Sequence, residues 1–409
     1  MQASTFRIAW RNLWRNRRRT LLAVLAITVG QWALLATQGL MRGYGDNIQR
    51  AITGPMIGHV QLHAPDYRDE RALDLVIRDV PGKLQRIREV PAVRNAAARI
   101  YASVLAAPER DAYVATLVGI DVASESEPFG LLSGNREPLQ PEHVMLGYRL
   151  AERSGAEPGD TIALIGQAAD GHLANDLFTV QSVIKGPVDR VNQSGVVMAL
   201  SDARRFLVMP DEAHEIVVRV KQLDAVGSVL TELQRMSVLS HLEILPWREI
   251  VPELVMIVDM VDYVGWFVLG LVLVAALAGI INTLMMATYE RMHEFGMLLA
   301  LGCRPLRIVR LIMVEAVLLG LLGVGTGTAL GLGFIGITRR TGIDMASWGG
   351  DSVEQFAYAG MNLPLDIVPR LEPADPFIGL VAIVLVSLLA AAWPASLAGR
   401  LDPMEAMRS

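Results

Sequence analysis

The side chains that could carry chemistry in this chain are seven histidines, one cysteine and many carboxylates. His59 and His63 lie four residues apart, but no third ligand with the spacing of a zinc site lies near them. Two polar side chains on the solvent face of a strand are therefore the favoured interpretation, ahead of a metal site. Ser133 and Ser194 stand beside glycines but outside a Gly-x-Ser-x-Gly turn, so no serine nucleophile is predicted. We therefore expect no catalytic residue, no metal site and no enzyme activity of the chain's own.

The chain also lacks a phosphate-binding loop of the form Gly-x4-Gly-Lys-Ser/Thr. Its only Gly-Lys pair, Gly82-Lys83, is followed by Leu84, where that loop needs a hydroxyl side chain. We therefore expect that the chain does not bind and hydrolyse nucleotide by this route.

The composition predicts a membrane protein. Of 409 residues, 52% are hydrophobic and 19% are charged, whereas soluble proteins average about 45–50% apolar and about 25% charged residues. A single cysteine excludes a disulfide framework, and a net charge of −5 argues against a nucleic-acid partner. Four apolar stretches are long enough to cross a bilayer, at residues 21–41, 264–287, 311–337 and 377–397.

Arginines near the ends of these stretches predict their direction, because cytoplasmic segments carry an excess of positive charge. Residues 1–19 contain six arginines and no acid, and the loop after the second stretch contains four. Arg339 and Arg340 count against this orientation but are outnumbered. Residues 42–260 contain 22 basic and 30 acidic side chains, a net charge of −8. We expect both termini in the cytoplasm and the large segment outside.

The N-terminal segment predicts a helix that lies in the inner membrane interface. Phe6, Trp10, Leu13 and Trp14 share one helical stripe between arginines, as in interfacial amphipathic helices.

The large outer segment alternates in the manner of strands at residues 59–63, 112–120, 161–165, 178–184, 196–200 and 215–220, and predicts helices at 81–90 and 223–236. This mixture predicts an α+β domain with a β-rich lobe near residues 122–200 and a hairpin at 166–176. Residues 41–53 and 246–263 flank the domain and could extend the neighbouring spans as a helical stalk.

The spans carry a few polar or small residues that predict helix packing. Asn282 and Thr283 are expected to bond to a neighbouring helix. Gly323, Gly327 and Gly331 have the four-residue spacing that lets two helices approach closely, either within the chain or between subunits. Glu315 lies near the start of the third span, and we favour a structural pairing with Arg307 or Arg310 over a functional role.

Three segments of the chain resemble those of FtsX-like permeases, the membrane subunits of ABC transporters of the MacB, LolC and LolE type. The first begins at the end of the second span and comprises Asn282-Thr283, Glu290-Arg291, Glu294-Phe295-Gly296 and Ala300-Leu301-Gly302. The second, near the start of the chain, is Ala9-Trp10-Arg11-Asn12-Leu13. The third, near the end, is Arg400-Leu401-Asp402-Pro403. Glu315 also matches a glutamate that is usual in the third span of this family. The size of the outer domain resembles most the lipoprotein-releasing LolC/LolE branch.

The resemblance assigns a role to the loop after the second span. In this family a short coupling helix docks in a groove of the ATPase subunit. The resemblance places it at residues 294–301, with Gly302 as its C-cap and Phe295, Leu298 and Leu299 as an exposed apolar wedge. The predicted coupling residues are Glu290, Arg291, Glu294, Phe295, Gly296, Leu298, Leu299 and Gly302.

The resemblance also points to the outer hairpin. In LolC-type proteins a hairpin of the β-rich lobe forms a hook that holds a periplasmic lipoprotein carrier. Here the corresponding residues 167–175 are small, polar and without proline, which departs from a hook. The candidate partner-binding residues are Gln167, Asp170, His172 and Asn175.

The expected fold is a membrane protein of four transmembrane helices, with a large extracytoplasmic MacB-like α+β domain inserted between helices 1 and 2. The expected division is 1–19 interfacial helix, 20–41 helix 1, 42–263 periplasmic domain, 264–287 helix 2, 288–310 coupling loop, 311–337 helix 3, 338–376 outer loop, 377–397 helix 4 and 398–409 cytoplasmic tail.

The resemblance implies a permease in the bacterial inner membrane that transmits motion from a separate cytoplasmic ATPase, which binds the ATP and magnesium. Two ATPase subunits and a second permease copy or a paralogue are the implied partners, in contact with membrane lipid. Release of lipoproteins from the inner membrane is the favoured activity. Regulation of a periplasmic cell-wall hydrolase, and efflux of a peptide or small molecule with an adaptor, are the alternatives.

Overall fold

The structure is a computed structural model that describes residues 2–15, 17–108, 111–126, 130–132, 138–344, 356–358, 361–363 and 366–399. The tail motif predicted beyond residue 399 lies outside these residues, as does much of the outer loop predicted at 338–376. The chain forms two compact units. Unit 1 comprises Met1–Gly45, Asp259–Met345 and Asp366–Ser409, and unit 2 comprises Asp46–Val258 and Ala346–Leu365.

Fourteen α-helices lie in the described part of the chain. They are α1 (Gln2–Arg15), α2 (Arg17–Ile52), α3 (Tyr67–Glu70), α4 (Val80–Arg88), α5 (Val122–Glu125), α6 (Tyr148–Ser154), α7 (Asp189–Ser194), α8 (Leu200–Leu207), α9 (Val226–Arg235), α10 (Trp247–Ile250), α11 (Pro252–Glu290), α12 (Met292–Ala300), α13 (Pro305–Thr341) and α14 (Ala374–Gly399). A π-helical turn, Thr53–Ile57, follows α2.

The strands are β1 (Val60–His63), β2 (Val93–Ala107), β3 (Tyr113–Ile120), β4 (His143–Gly147), β5 (Thr161–Gln167), β6 (Leu173–Ile184), β7 (Gly195–Ala199), β8 (Glu215–Val220), β9 (Glu243–Pro246), β10 (Ile343–Asp344), β11 (Phe356–Tyr358), β12 (Met361–Leu363) and β13 (Asp366–Ile367).

Unit 1 is built from long apolar helices. Four helical segments are long and apolar enough to cross a membrane: Arg17–Ile57, Val258–Glu290, Pro305–Thr341 and Ala374–Gly399. Each contains one of the four apolar stretches seen in the sequence. Their packed core is made of small and branched side chains such as Ile27, Ile312, Ala316 and Ala391, which leave little space between helices.

Unit 2 is organised by one nine-stranded sheet with the order β3-β7-β4-β6-β5-β2-β8-β1-β9. Strand β2 also pairs with β3, so six strands close into a ring. The strands of the segment 122–200, where a β-rich lobe is expected, therefore share β2 and β3 with the rest of the domain instead of forming a sheet of their own.

The fifteen-residue strand β2 belongs to two parts of this sheet. Its first half pairs with β8, from Val93 with Val220 to Arg99 with Glu215. Its second half pairs with β3, from Arg99 with Ile120 to Ala106 with Tyr113, and its end also pairs with β5. Alternate residues of β2, such as Ile100, Ala102 and Val104, enter the main hydrophobic core. The residues between them face the opposite side of the sheet, where polar groups collect.

Candidate functional site

The segment predicted to contact an ATPase forms a short helix with a defined end. The predicted helix at 294–301 is observed as α12, Met292–Ala300, separated from α11 by Arg291. Gly302 has a φ of +86°, and its N–H donates to Leu299 O at 3.0 Å. The Cys303 N–H donates to Leu298 O at 2.9 Å. These two bonds form a Schellman motif, which ends the helix at the glycine expected to cap it.

The exposed face of α12 differs from the predicted one. Phe295 is 1% exposed and belongs to the core of unit 1, so its prediction as part of an exposed wedge is wrong. Leu299 is half-buried against the same core. Met297, Leu298 and Leu301 are the exposed apolar side chains, at 45%, 42% and 84%. An exposed apolar surface is therefore present, but it is formed by Met297, Leu298 and Leu301, because Phe295 is buried in the core of unit 1.

Arg291 holds Phe295 in this position. Its guanidinium lies over the Phe295 ring at 4.9 Å from the centroid. Its Nη1 is 2.9 Å and 3.1 Å from the two carboxylate oxygens of Glu315. Glu315 is 4% exposed, and it also accepts a hydrogen bond of 2.6 Å from Asn12 Nδ2. Glu315 therefore has the structural pairing that was expected, but its partner is Arg291, and the prediction of Arg307 or Arg310 is wrong.

The other acidic coupling residues bind arginines of the N-terminal segment. Arg15 Nη1 lies 3.1 Å from Glu294 Oε1, and Arg19 forms an ion pair with Glu290. Glu294 also lies 3.6 Å from Arg291 Nε. Glu294 thus connects α1 to α12, and Glu290 connects the start of α2 to the end of α11, within unit 1. Both carboxylates pair within the chain, and their predicted role in coupling to an ATPase stays a prediction.

Close helix packing surrounds the three glycines of α13. A Cβ placed on Gly323 would lie 2.5 Å from the Ile27 side chain, and one on Gly331 would lie 2.8 Å from Leu35. At Gly327 it would lie 2.7 Å from both Gln31 Cβ and Thr28 O. The stripe therefore faces α2 of the same chain.

The two polar residues of α11 do not bond as expected. Thr283 Oγ1 donates to Gly279 O of its own helix at 2.8 Å. Asn282 is exposed on the helix surface. Neither side chain is seen to join α11 to a neighbouring helix in the described part of the chain.

Two buried arginines in unit 2 hold the turn that follows α2, a feature the sequence analysis missed. Arg99 donates to Pro55 O at 2.9 Å and to Met56 O. Arg219 donates to Gly54 O at 3.1 Å. Both arginines pair with Glu125, at 2.7 Å and 2.9 Å. We call this group, Arg99, Arg219 and Glu125, the arginine clamp.

The charges of the clamp stabilise one another. Burial by itself would raise the pKa of Glu125, but Arg99 and Arg219 overcome it and lower that pKa to about 2. Burial opposes the charge of Arg99 as well, and Glu125 and Glu215 keep its pKa above the usual value. The clamp thus stays ionised and fixes the carbonyl groups of the turn. The sequence gives only a weak indication of the arginine clamp, because an arginine within a predicted strand is usually assigned to the solvent-exposed face.

His59 and His63 do not share a solvent face. All four residues of β1 are buried, and the Tyr67 ring lies against His63 at 5.7 Å between centroids, so the solvent-face interpretation is wrong for His63. Its Nε2 lies 3.4 Å from Glu215 Oε2. The N–H of Val220 donates to His59 Nδ1 at 2.9 Å. Burial, with a smaller effect of Arg219, lowers the pKa of His59 to about 4.

The predicted hairpin has the strands it needs. Strands β5 and β6 pair as far as Gln167 with Leu173, and Gly171 adopts a φ of +86° in the connection. His172 Nδ1 lies 3.2 Å from Asp170 Oδ2. The candidate residues Gln167, Asp170, His172 and Asn175 are all exposed. They lie beside the exposed apolar side chains of Leu173 and Leu177.

Comparisons with known proteins agree with this arrangement. The model described as FtsX-like permease C-terminal matches residues 266–403, and the model described as MacB-like periplasmic core domain matches residues 20–236. The chain belongs to the FtsX-like permeases with a MacB-like periplasmic core domain. It is therefore a membrane protein with a large extracytoplasmic domain, and a permease of the LolC/LolE/MacB type of ABC transporter.

Relatives of this family match along most of the chain. The lipoprotein-releasing system transmembrane protein LolC of Neisseria meningitidis serogroup B is 23% identical, over 95% of this chain and 94% of that protein. The macrolide export ATP-binding/permease protein MacB of Hahella chejuensis is 22% identical, over 99% of this chain and 60% of that protein. The crystal structure of the periplasmic region of MacB from Actinobacillus actinomycetemcomitans is 13% identical, covers 52% of this chain and 94% of that chain, and has a TM-score of 0.35.

Proposed function

We propose that this chain transmits motion from a separate cytoplasmic ATPase to its extracytoplasmic domain. The observation that carries the proposal is the exposed apolar face of α12, formed by Met297, Leu298 and Leu301 on a helix that is braced from behind by Arg291. An apolar surface next to charged side chains is typical of a protein–protein contact. The sequence supplies no phosphate-binding loop of its own, which supports a separate ATPase.

The bracing of α12 supports its role as a transmitter. A helix that moves as part of a larger body must be joined to it by contacts that resist displacement. Arg291 joins α12 to α13 through Glu315, and Arg15 joins it to α1 through Glu294. A push on the exposed face would therefore be passed to several helices of unit 1 together.

We place α12 and both termini in the cytoplasm of a cell whose inner membrane holds the four spans. Exposed Phe6, Trp10 and Trp14 on α1 fit a helix that lies in the interface, where aromatic rings are favoured. The arginines of residues 1–19 support the same side. The MacB-like domain then lies in the periplasm.

Motion can reach the outer domain along α2 and α11. Each of these helices carries residues of both compact units, since the unit boundaries at Gly45 and Asp259 fall inside them. The arginine clamp then holds the turn after α2 by three carbonyl groups. The transmitted force would enter the sheet at Arg99 and Arg219, on β2 and β8.

Release of lipoproteins from the membrane is the proposed activity. It is supported by the similarity to a lipoprotein-releasing system transmembrane protein LolC, which aligns with 95% of this chain. The hairpin at residues 167–175 gives weaker support for lipoprotein release, because its residues are small and polar, unlike the hook of LolC-type proteins. We propose a second permease copy or a paralogue as partner, and the exposed face of α11 at Met260, Tyr263 and Phe267 is available to it or to lipid.

Purification of the chain with its ATPase from native membranes tests the activity. Lipoprotein that co-purifies with the complex, identified by mass spectrometry together with its acyl chains, is the expected result. A stably bound cell-wall hydrolase in the absence of lipoprotein would replace the proposal with regulation of that enzyme. A bound adaptor with a small molecule or peptide would replace it with efflux.

A further inference from the structure

A cavity of about 630 Å³ lies in unit 2, on the face of the sheet opposite the main core. This volume falls within the range of about 300–1,000 Å³ that is usual for small-molecule sites. The hairpin residue Gln167 lines it, as do residues of β1, β2, β3 and β8. The turn after α2 contributes Met56 and Ile57, and the segment before α11 contributes Ile250 and Val251.

The cavity carries an excess of positive charge. The buried groups near it are balanced, because Arg99 and Arg219 face Glu125 and Glu215. Among the described residues, Glu215 is the only acidic side chain in its lining, whereas three further arginines line it: Arg68, Arg71 and Arg190. Such a local excess attracts anions, although residues 42–260 as a whole carry a net negative charge.

These three arginines are available to a ligand. Arg68 donates to Ile250 O at 3.0 Å, a neutral acceptor that leaves its charge uncompensated. The guanidinium groups of Arg71 and Arg190 form no hydrogen bond or ion pair with the described residues, and both side chains are exposed. Guanidinium groups bind carboxylates and phosphates through two parallel hydrogen bonds.

The rest of the cavity lining combines polar side chains, such as Gln61, Ser103 and Thr116, with a set of apolar ones. Met56, Ile57, Val118, Val191 and Val251 line it together. His63, also in the lining, is 2% exposed, and its Nδ1 has no hydrogen-bond partner in the described part of the chain. A buried polar atom without a partner, at a cavity lined by both apolar side chains and arginines, points to an occupant with apolar and anionic parts.

We propose that this cavity binds an amphiphilic anion, an acyl chain that carries a carboxylate or phosphate headgroup. The headgroup binds Arg71 and Arg190, and the chain packs on the apolar side chains of the lining. The site is distinct from the ATPase-coupling helix and does not depend on the proposed transport activity. Because its wall includes residues that directly follow α2 and precede α11, an occupant would contact the two ends through which motion reaches the domain.

Photo-labelling of the full chain in phosphatidylcholine nanodiscs tests the proposal. The probes are three diazirine-bearing molecules with the same chain: palmitate, a palmitoyl lysophosphatidylglycerol and neutral monopalmitoylglycerol. Labelled peptides are mapped by mass spectrometry. Labelling of residues of β2, β3 or α7 by one or both anionic probes, with little from the neutral probe, is expected. Palmitate alone would identify a free fatty acid as the ligand, and the phosphate probe alone would identify a phospholipid.

Matched variants separate the site from general lipid contact. The double variant Arg71→Gln/Arg190→Gln should lower labelling roughly tenfold or more, the effect of losing charge-assisted hydrogen bonds. Ser103→Trp, which fills the cavity from an exposed position on β2, should block it. Arg235→Gln, on the exposed surface of α9 and outside the cavity, should have no effect. Equal labelling by the neutral probe, absence of labelling here, or wild-type labelling of the double variant would overturn the proposal.

Discussion

Arg291 and Glu315 form a buried ion pair in which one guanidinium nitrogen lies 2.9 Å and 3.1 Å from the two carboxylate oxygens. The same guanidinium covers the ring of Phe295. This pair fixes which face of α12 is buried, and so which residues are left to contact another protein. The exposed residues of α12 are therefore determined by a residue of α13, which is distant in sequence.

The exposed face of α12 should be needed for ATPase binding. A fully buried leucine contributes about 1.5–3 kcal/mol, so Leu298→Asp/Leu301→Asp should weaken association roughly a hundredfold or more. Co-purification with the ATPase measures this, and membrane insertion should be unchanged. Leu173→Asp, on an exposed leucine of β6, is the control. If the double variant still binds the ATPase as the wild type does, α12 is not the docking helix.

The buried ion pair should contribute far more to stability than a surface pair on the same helix. Arg291→Met leaves Glu315 buried without its cation, which should cost about 3–5 kcal/mol. Arg15→Met removes the exposed pair with Glu294 and should cost about 0–1 kcal/mol. Thermal unfolding of the full chain in detergent compares them. Adding Glu315→Leu to Arg291→Met should recover part of the loss, and equal effects of the two single variants would contradict this view.

Close packing between α13 and α2 should depend on Gly327. Gly327→Val would place side-chain atoms on Gln31 and on the Thr28 carbonyl, so the helices must separate and the melting temperature should fall by several degrees. Gly325→Val, on the same helix, should leave it nearly unchanged, because a Cβ at that position would have no neighbouring atom within 4 Å. A similar loss in both variants would instead indicate an effect of helix propensity.

The stability of unit 2 should fall as the pH falls from about 6.5 to about 4. The pKa of His59 is lowered to about 4 by burial and Arg219, so in this window the unfolded state binds the proton more tightly. Protonation also removes the acceptor for the Val220 N–H. The loss should reach at most about 3 kcal/mol. Chemical unfolding of the full chain, followed at several pH values, should show a flatter profile for His59→Gln; an unchanged slope would remove His59 as the cause.

The contribution of Glu125 to the stability of unit 2 should be lost over a second, more acidic pH range. Its pKa of about 2 in the folded state lies below the ordinary value of a glutamate, so its contribution is present above about pH 4.5 and is lost as the pH falls toward 2. In Glu125→Gln, two buried arginines lose their shared partner, and stability at pH 7 should drop by about 3–5 kcal/mol. Unfolding at pH 7 and pH 3 measures both effects, and the gap between wild type and variant should narrow at the lower pH.

Features set by local sequence were predicted more accurately than features set by distant contacts. Long apolar runs suffice to find the four candidate spanning helices, and Gly302 alone marks the end of α12. The face of α12 could not be predicted, because Phe295 and Leu298 are equally apolar and only Glu315, through Arg291, distinguishes them. The partner of Glu315 was missed for the same reason: Arg307 and Arg310 are closer in sequence, but Arg291 and Asn12 lie against it in space.

The outer domain shows the same limit. Strand β8 was predicted with its observed bounds, since alternation along six residues is a local pattern. The ring closed by β2 and β3 depends on pairing between strands far apart in the chain. His63 was placed on a solvent face because the alternation of β1 does not show that Tyr67 and Glu215 lie against that face. The arginine clamp was missed because its acceptors are backbone carbonyl groups, which every residue carries.

The double membership of β2 gives the outer domain a particular mechanical character. Its first half is hydrogen-bonded to β8, which carries Arg219, and its second half to β3 and β5. No loop interrupts it between Arg99, where the clamp acts, and Ala106, beside the hairpin strands. A displacement at one end of this strand cannot be absorbed by a hinge along its length. A displacement of Arg99 would therefore be passed along β2 to the two strands that pair with its second half, β3 and β5.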